Sequence, residues 1–143
     1  MNDTLTVEEL FNQGFERYKA GESLDTLIPF FQDLCDRANK SSTSWTCLAW
    51  LYLLAEKPSQ ALKAAKKATK LNPHDPQARV NLAVALLDAG QKGVREHIDV
   101  AQQILMVAPE EVTQEVKSNI ADGLSRKPGW KGMEKVNAWL FDD

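Results

Sequence analysis

The side chains best suited to chemistry in this chain are few and scattered: Cys35, Cys47, His74, His97 with Asp99, and lysines at 63, 66, 67 and 70. A reactive thiol needs an activating positive charge, and the surroundings of Cys47, 45-WTCLAWLY-52, supply none. The two cysteines form no C-x-x-C pair and too few bridges for a disulfide framework, which points to a reducing compartment. His97 and Asp99 offer acid–base groups, but no nucleophile or third orienting group accompanies them. His74 lies in a turn between Pro73 and Pro76 and reads as exposed. Neither a phosphate-cradling glycine loop nor a metal-ligand spacing occurs. The expectation is a protein with no catalytic residue, no cofactor and no metal. The four lysines make a basic stripe on one helix without the interleaved aromatics that stack on bases, so they read as a solvated outer face.

Charge and hydropathy narrow the partners. The 143 residues are 43% hydrophobic and 26% charged with a net charge of -3, a folded composition without the basic excess of a general nucleic-acid binder. The longest apolar stretch, Trp45 to Ala55, is far short of the roughly 20 residues a bilayer requires. The opening MNDTLTVEEL is acidic where a signal peptide is basic, so the expected location is cytoplasmic. Lys131 to Phe141 could lie on a lipid surface, but Asp142 and Asp143 would be repelled by anionic headgroups.

The elements that must position these residues are helical. Apolar side chains recur at helical spacing nearly everywhere, and no segment alternates like a strand. Leu10, Phe11, Phe15 and Tyr18 form one stripe, ended by Gly21. Leu24, Leu27, Ile28, Phe31, Leu34 and Cys35 form the next, with Pro29 inside it requiring a late start or a bend. Any of residues 41 to 44, Ser-Ser-Thr-Ser, can cap a third helix, which Lys57-Pro58-Ser59 breaks. Ala61, Leu62, Ala65, Ala68 and Leu71 mark a fourth, stopped by Asn72-Pro73. Asp75-Pro76 is a cap with proline in first position, opening a fifth helix that runs to Ala89-Gly90. A sixth runs from about Val94 to Val107, and Glu110 and Glu111 suit the first turn of a seventh. Past Lys127-Pro128-Gly129, a short eighth carries Met133, Val136, Trp139 and Leu140. The predicted fold class is all-α, with about eight short antiparallel helices.

Shifting the chain by 34 residues places Leu48 on Leu82, Ala49 on Ala83 and Tyr52 on Leu86. With two extra residues after Gly90, Leu62 falls on Ile98, Ala65 on Ala101, Leu71 on Val107 and Pro73 on Pro109. Trp45-x2-Leu48-Ala49-x2-Tyr52, followed by Ala61, Ala68 and Pro73, resembles the W-x2-L-G-x2-Y…A…A…P spacing of the tetratricopeptide repeat. Ala49 replaces the usual glycine, Glu56 the turn glycine and Ala65 a large apolar residue. The copy over 42–75 is clear, and that over 76–111 carries the insertion and His97 in a usually small position. The copy over 7–41 is degenerate: Gly14 and Gly21 fit, but Arg17 occupies an apolar slot. Residues 112–143 are expected to cap the stack within a single domain over 1–143. The resemblance implies an α-α superhelix, a solenoid in which each hairpin covers its neighbour.

Trp45, Leu48 and Tyr52 then form a core stripe, and Trp50 points away from it. The resemblance implies that this second flank lines a concave groove, formed by Thr46, Trp50 and Leu53 in the clear copy. Gln77, Val80, Asn81, Val84 and Leu87 continue it in the next copy, and Phe11, Phe15 and Tyr18 in the degenerate one. A one-residue register shift would instead send Phe11 and Phe15 into the core. An apolar, aromatic wall suits an amphipathic helix or apolar peptide from a protein partner, with Trp50 as an anchor. Family members that clamp acidic chaperone tails carry lysine, arginine and asparagine there, and only Asn81 matches. The expected function is a non-catalytic protein-interaction module, an adaptor or assembly factor, with no nucleic acid and no membrane span. Two other occupants stay open: the chain's own last helices, since Trp130, Trp139, Leu140 and Phe141 need cover, or a second copy in a homo-oligomer built through that aromatic segment.

Overall fold

In order along the chain come α1 (Val7–Lys19), α2 (Leu24–Arg37), α3 (Ser42–Leu54), α4 (Pro58–Leu71), α5 (Pro76–Asp88), α6 (Val94–Val107), α7 (Glu110–Arg126) and α8 (Lys131–Phe141). The computed structural model describes residues 5–142, and among these no strand occurs. Residues 1–4 and Asp143, which belong to the expected domain span and, for Asp143, to the acidic end expected to disfavour lipid, lie outside the described residues.

Local chemistry sets most boundaries. Thr6 and Glu9 close a reciprocal capping box on α1, Ser23 accepts from the Asp25 amide, Ser41 from Ser44 and Asp75 from Gln77. Pro29 neither delays nor splits α2, which starts at Leu24 and runs through it. The amide that proline lacks would cost about 3 kcal/mol in an isolated helix. Burial of Leu27, Ile28, Phe31, Leu34 and Cys35 offsets that loss.

The repeat is visible in how α1, α3 and α5 end. Gly21, Glu56 and Gly90 adopt left-handed φ values of 85°, 60° and 68°. In each case the next amide reaches back to the helix: Glu22 to the Arg17 carbonyl, Lys57 to Tyr52 and Gln91 to Leu86. Glu56 thus takes the glycine conformation without being glycine, at a cost of roughly 1 kcal/mol.

Successive helices from α1 to α6 pack pairwise, and α3 also meets α5. Buried alanines 61, 64, 65 and 68 let α4 approach its neighbours closely. At Gly14 a Cβ would sit 2.6 Å from the Phe31 ring, so α1 closes on α2 only through that glycine. Arg17 fits its apolar slot by laying its guanidinium over the Phe30 ring at 4.5 Å and pairing with Glu22. Trp45 is only half-buried and donates its indole N–H to the Asn39 carbonyl at 2.9 Å, so Leu48 and Tyr52 carry the deep part of that stripe. The solenoid order ends after α6: α8, not α7, stacks on α5 and α6.

Candidate partner-binding groove

The inner wall is built from α1, α3 and α5, each presenting the flank opposite its paired helix. On α1 the rings of Phe11, Phe15 and Tyr18 form a ladder, with centroids 6.2 and 6.4 Å apart and near-parallel planes. Phe15 is 42% exposed. The register that would bury both phenylalanines is therefore not adopted, although Phe11 also packs edge-on against Phe31.

Along α3 and α5 the wall is different, because the C-terminal helices lie against it. Asn119 on α7 donates to Gln77 Oε1 at 3.0 Å, and Gln77 donates to Asn81 at 2.9 Å. Asn81, fully buried, donates in turn to the Thr46 carbonyl at 3.0 Å. Tyr18 donates its hydroxyl to Asp122 and accepts the Trp50 indole N–H at 2.8 Å. Arg126 lies 3.9 Å above the Tyr18 ring, pairs with Asp122 and donates to the Tyr18 carbonyl. Gly123 meets the Trp50 ring so closely that a Cβ there would stand 2.8 Å from it. Trp130 fills the space beyond, with ring centroids 6.0 Å apart, and donates to Asp88 at 2.9 Å. Lys127 donates to the Leu53 carbonyl.

These contacts sort the sequence-predicted residues into two groups. Phe11, Phe15, Thr46, Trp50, Gln77 and Asn81 gather around α1, α3 and the inner side of α5. Leu53, Val80 and Val84 do not present a free surface, a correction to their reading as open groove residues: all three are buried, Val80 and Val84 at 0% exposure. The chain beyond the sixth helix folds back over this part of the wall: Lys127 reaches the Leu53 carbonyl, and α8 packs on α5 and brings Gly132 against Asp88 and the Leu87 side chain. The C-terminal aromatics are used within the chain: Trp130 is 3% exposed, Arg95 covers the Trp139 ring and Lys117 the Phe141 ring. Sequence reading missed Asn119, Asp122 and Gly123, whose only signal was their spacing on one side of a single helix.

Between α1, α3, α5 and α7 a cavity of about 100 Å³ remains. Phe15, Phe31, Leu51 and Trp50 make its apolar walls, and Thr46, Asn119 and Asp122 its polar edge. The Thr46 hydroxyl, buried there, has no hydrogen-bond partner among the described residues. Burial and the bond to Asp122 push the Tyr18 phenol well above its usual range, so it acts as a hydrogen-bonding group and not as a base. Burial likewise pushes the thiols of Cys35 and Cys47 up to about 12, leaving little thiolate. His97 is turned toward Arg79 at 2.9 Å, and burial, then the Arg79 charge, lower its pKa, while Asp99 is exposed. Lys63, Lys66, Lys67, Lys70 and His74 are all exposed. Among the described residues no group of three or more metal-ligating side chains converges, and no helix is long and apolar enough to cross a membrane. The arrangement offers apolar contact and hydrogen bonds.

A family model described as tetratricopeptide repeat matches residues 52–118, from the last turn of the third helix into the seventh. Over that stretch, just under half of the chain, the sequence is similar to tetratricopeptide repeats. The stacked-helix fold is shared with solved structures at low identity. The Yersinia enterocolitica Type III Secretion Translocator Chaperone SycD, in its alternative dimer, is similar at TM-score 0.67 and 20% identity, over 88% of this chain and 97% of that one. PcrH in complex with the chaperone binding region of PopD is similar at TM-score 0.69 and 21% identity, over 89% and 99%. PcrH from Pseudomonas aeruginosa is similar at TM-score 0.69 and 20% identity, over 94% and 96%. No curated protein sequence matches.

Proposed function

We propose that this repeat protein is a non-catalytic, cytoplasmic binding module that takes an apolar segment of a partner protein into the α1 end of its inner wall, as an adaptor, assembly factor or chaperone. The observation that carries this reading is the apolar cavity bordered by Phe15, an aromatic ring left exposed on an inward-facing ladder. An exposed ring beside a concave apolar space favours insertion of an aliphatic or aromatic side chain, and the unpartnered Thr46 hydroxyl offers such a segment one hydrogen bond. PcrH, of similar fold, is solved with the chaperone binding region of PopD, which supports the same use of the scaffold in this chain. Phe11, Phe15, Thr46, Trp50 and Gln77 are the contact residues of this proposal, with Leu53, Val80, Asn81, Val84 and Leu87 serving as their support.

Selection of phage-displayed peptides on the immobilised protein, followed by titration of the best synthetic peptide, tests the reading. Peptides with apolar anchors should bind, and Phe15→Glu should weaken them at least about tenfold. Peptides that bind Phe15→Glu as well as the native protein would place the site elsewhere.

A further inference from the structure

The seventh helix combines two properties that are rarely combined by accident. Its inner side touches all three wall helices: Asn119 reaches Gln77 on α5, Gly123 seats on Trp50 of α3, and Asp122 with Arg126 grips Tyr18 on α1. Yet its own helix chemistry is unfavourable at two points. Its N-terminus at Pro109 has no side-chain cap, Gly123 lowers its helix propensity near the C-terminal end without breaking it, and its backbone packs most closely on α8. The helices beneath do not depend on it for their order, since α3 to α6 pack extensively on one another. A bridging helix with an uncapped start and an interior glycine, anchored inward by Val116 and Ile120, is an element suited to opening as a unit.

We propose that α7 is a displaceable strap, an autoinhibitory contact in which Asn119, Asp122 and Gly123 occupy the wall positions that a bound segment takes over. Tyr18 is the latch. Its hydroxyl joins α7 to α3 by donating a hydrogen bond to Asp122 and accepting one from Trp50, and its ring and carbonyl hold Arg126. Entry of a partner side chain into the cavity breaks the Tyr18–Asp122 and Gln77–Asn119 links, because all four groups line that cavity. The α8 anchor, Trp130 on Asp88 with Gly132 beneath it, stays in place and keeps the strap tethered. The strap rests on the proposed binding of an apolar segment at the inner wall.

Two variants open the strap by different routes. Gly123→Ala strengthens the helix itself but drives a methyl into the Trp50 ring, and Asp122→Ala removes the acceptor for Tyr18 and the partner of Arg126. Ser125→Ala, at an exposed position of the same helix, is the control. Hydrogen exchange read by mass spectrometry, without any peptide, should show α7 amides exchanging about tenfold faster in both variants and unchanged in the control, while α3 to α5 keep their protection. Binding of the apolar dye anilinonaphthalene sulfonate should rise in parallel. Unchanged α7 exchange in both variants, or equal loosening of every helix, would overturn the strap. The peptide selected against the native protein should bind both variants about fivefold or more tightly, and should itself accelerate α7 exchange in the native protein. A peptide that saturates the protein without changing α7 exchange would make the helix a fixed wall. If α7 loosens as expected and no peptide binds any form, the strap stands and the binding reading fails.

Discussion

Along α1 Phe15 remains open to solvent with Phe11 partly so, whereas Tyr18 and the same face of α3 and α5 lie under α7 and α8. Phe15 and Val84 occupy comparable places on the first and last of the three inner helices. One is a stacked ring at the edge of a cavity; the other has no exposed surface at all. In α5 every residue from Val80 to Leu86 is buried, which a helix at the rim of an open groove would not allow. A repeat sequence therefore specifies the wall but not its occupancy. Occupancy is decided by the segment beyond the last repeat. In this protein the chain turns back at Pro109, so a three-helix wall is covered over most of its length by its own chain.

That contrast separates stability from binding, and variants can break it. Val84→Asp should have the largest effect. A carboxylate at a position of 0% exposure costs on the order of 3–5 kcal/mol, and thermal unfolding followed by circular dichroism should show a Tm drop well above about 10 °C. A Val84→Asp protein that melts like the native one would mean α8 does not cover α5. Trp50→Ala comes next, at about 3 kcal/mol, because it removes the ring that Gly123, Trp130 and Tyr18 all contact. Phe15→Glu should change stability by less than about 0.5 kcal/mol in denaturant titration while weakening peptide binding. A large loss of stability there would show that the ladder is core. Glu56→Gly should raise stability by at most about 1 kcal/mol, since it relieves the left-handed backbone at a turn away from the wall. The smallest effect concerns Cys47. Its pKa is raised to about 12, so the thiolate fraction near neutral pH falls below that of an ordinary cysteine, and alkylation by iodoacetamide should be much slower than in a short peptide, accelerating as pH rises.

Much of the fold was legible because local signals agreed. Ser41, Asp75-Pro76 and Gly90 mark helix ends by backbone chemistry that acts within a few residues, and the 34-residue spacing ties α3 to α5. Pro29 misled because its penalty is local while its compensation, the buried face of α2, is tertiary. The inner wall was legible in its residue types, since Trp50 could not belong to the Leu48–Tyr52 stripe. Its cover was not. Asn119 meeting Gln77 joins residues 42 positions apart, and Asp122 meeting Tyr18 spans 104, so neither leaves a trace in local periodicity. The need to shelter Trp130 was the one hint, and that ring does end against Trp50.

Hydroxyl-radical footprinting of the native protein, read residue by residue by mass spectrometry, addresses the division of the wall most directly. Tryptophan is intrinsically more reactive than phenylalanine, so protection of one relative to the other reports geometry. The structure requires Phe15 to be oxidised readily while Trp130 and the inner residues of α5 stay protected. Oxidation of Trp130 and Val84 as fast as Phe15 would mean that α7 and α8 leave the groove open, and that the wall is not divided at all.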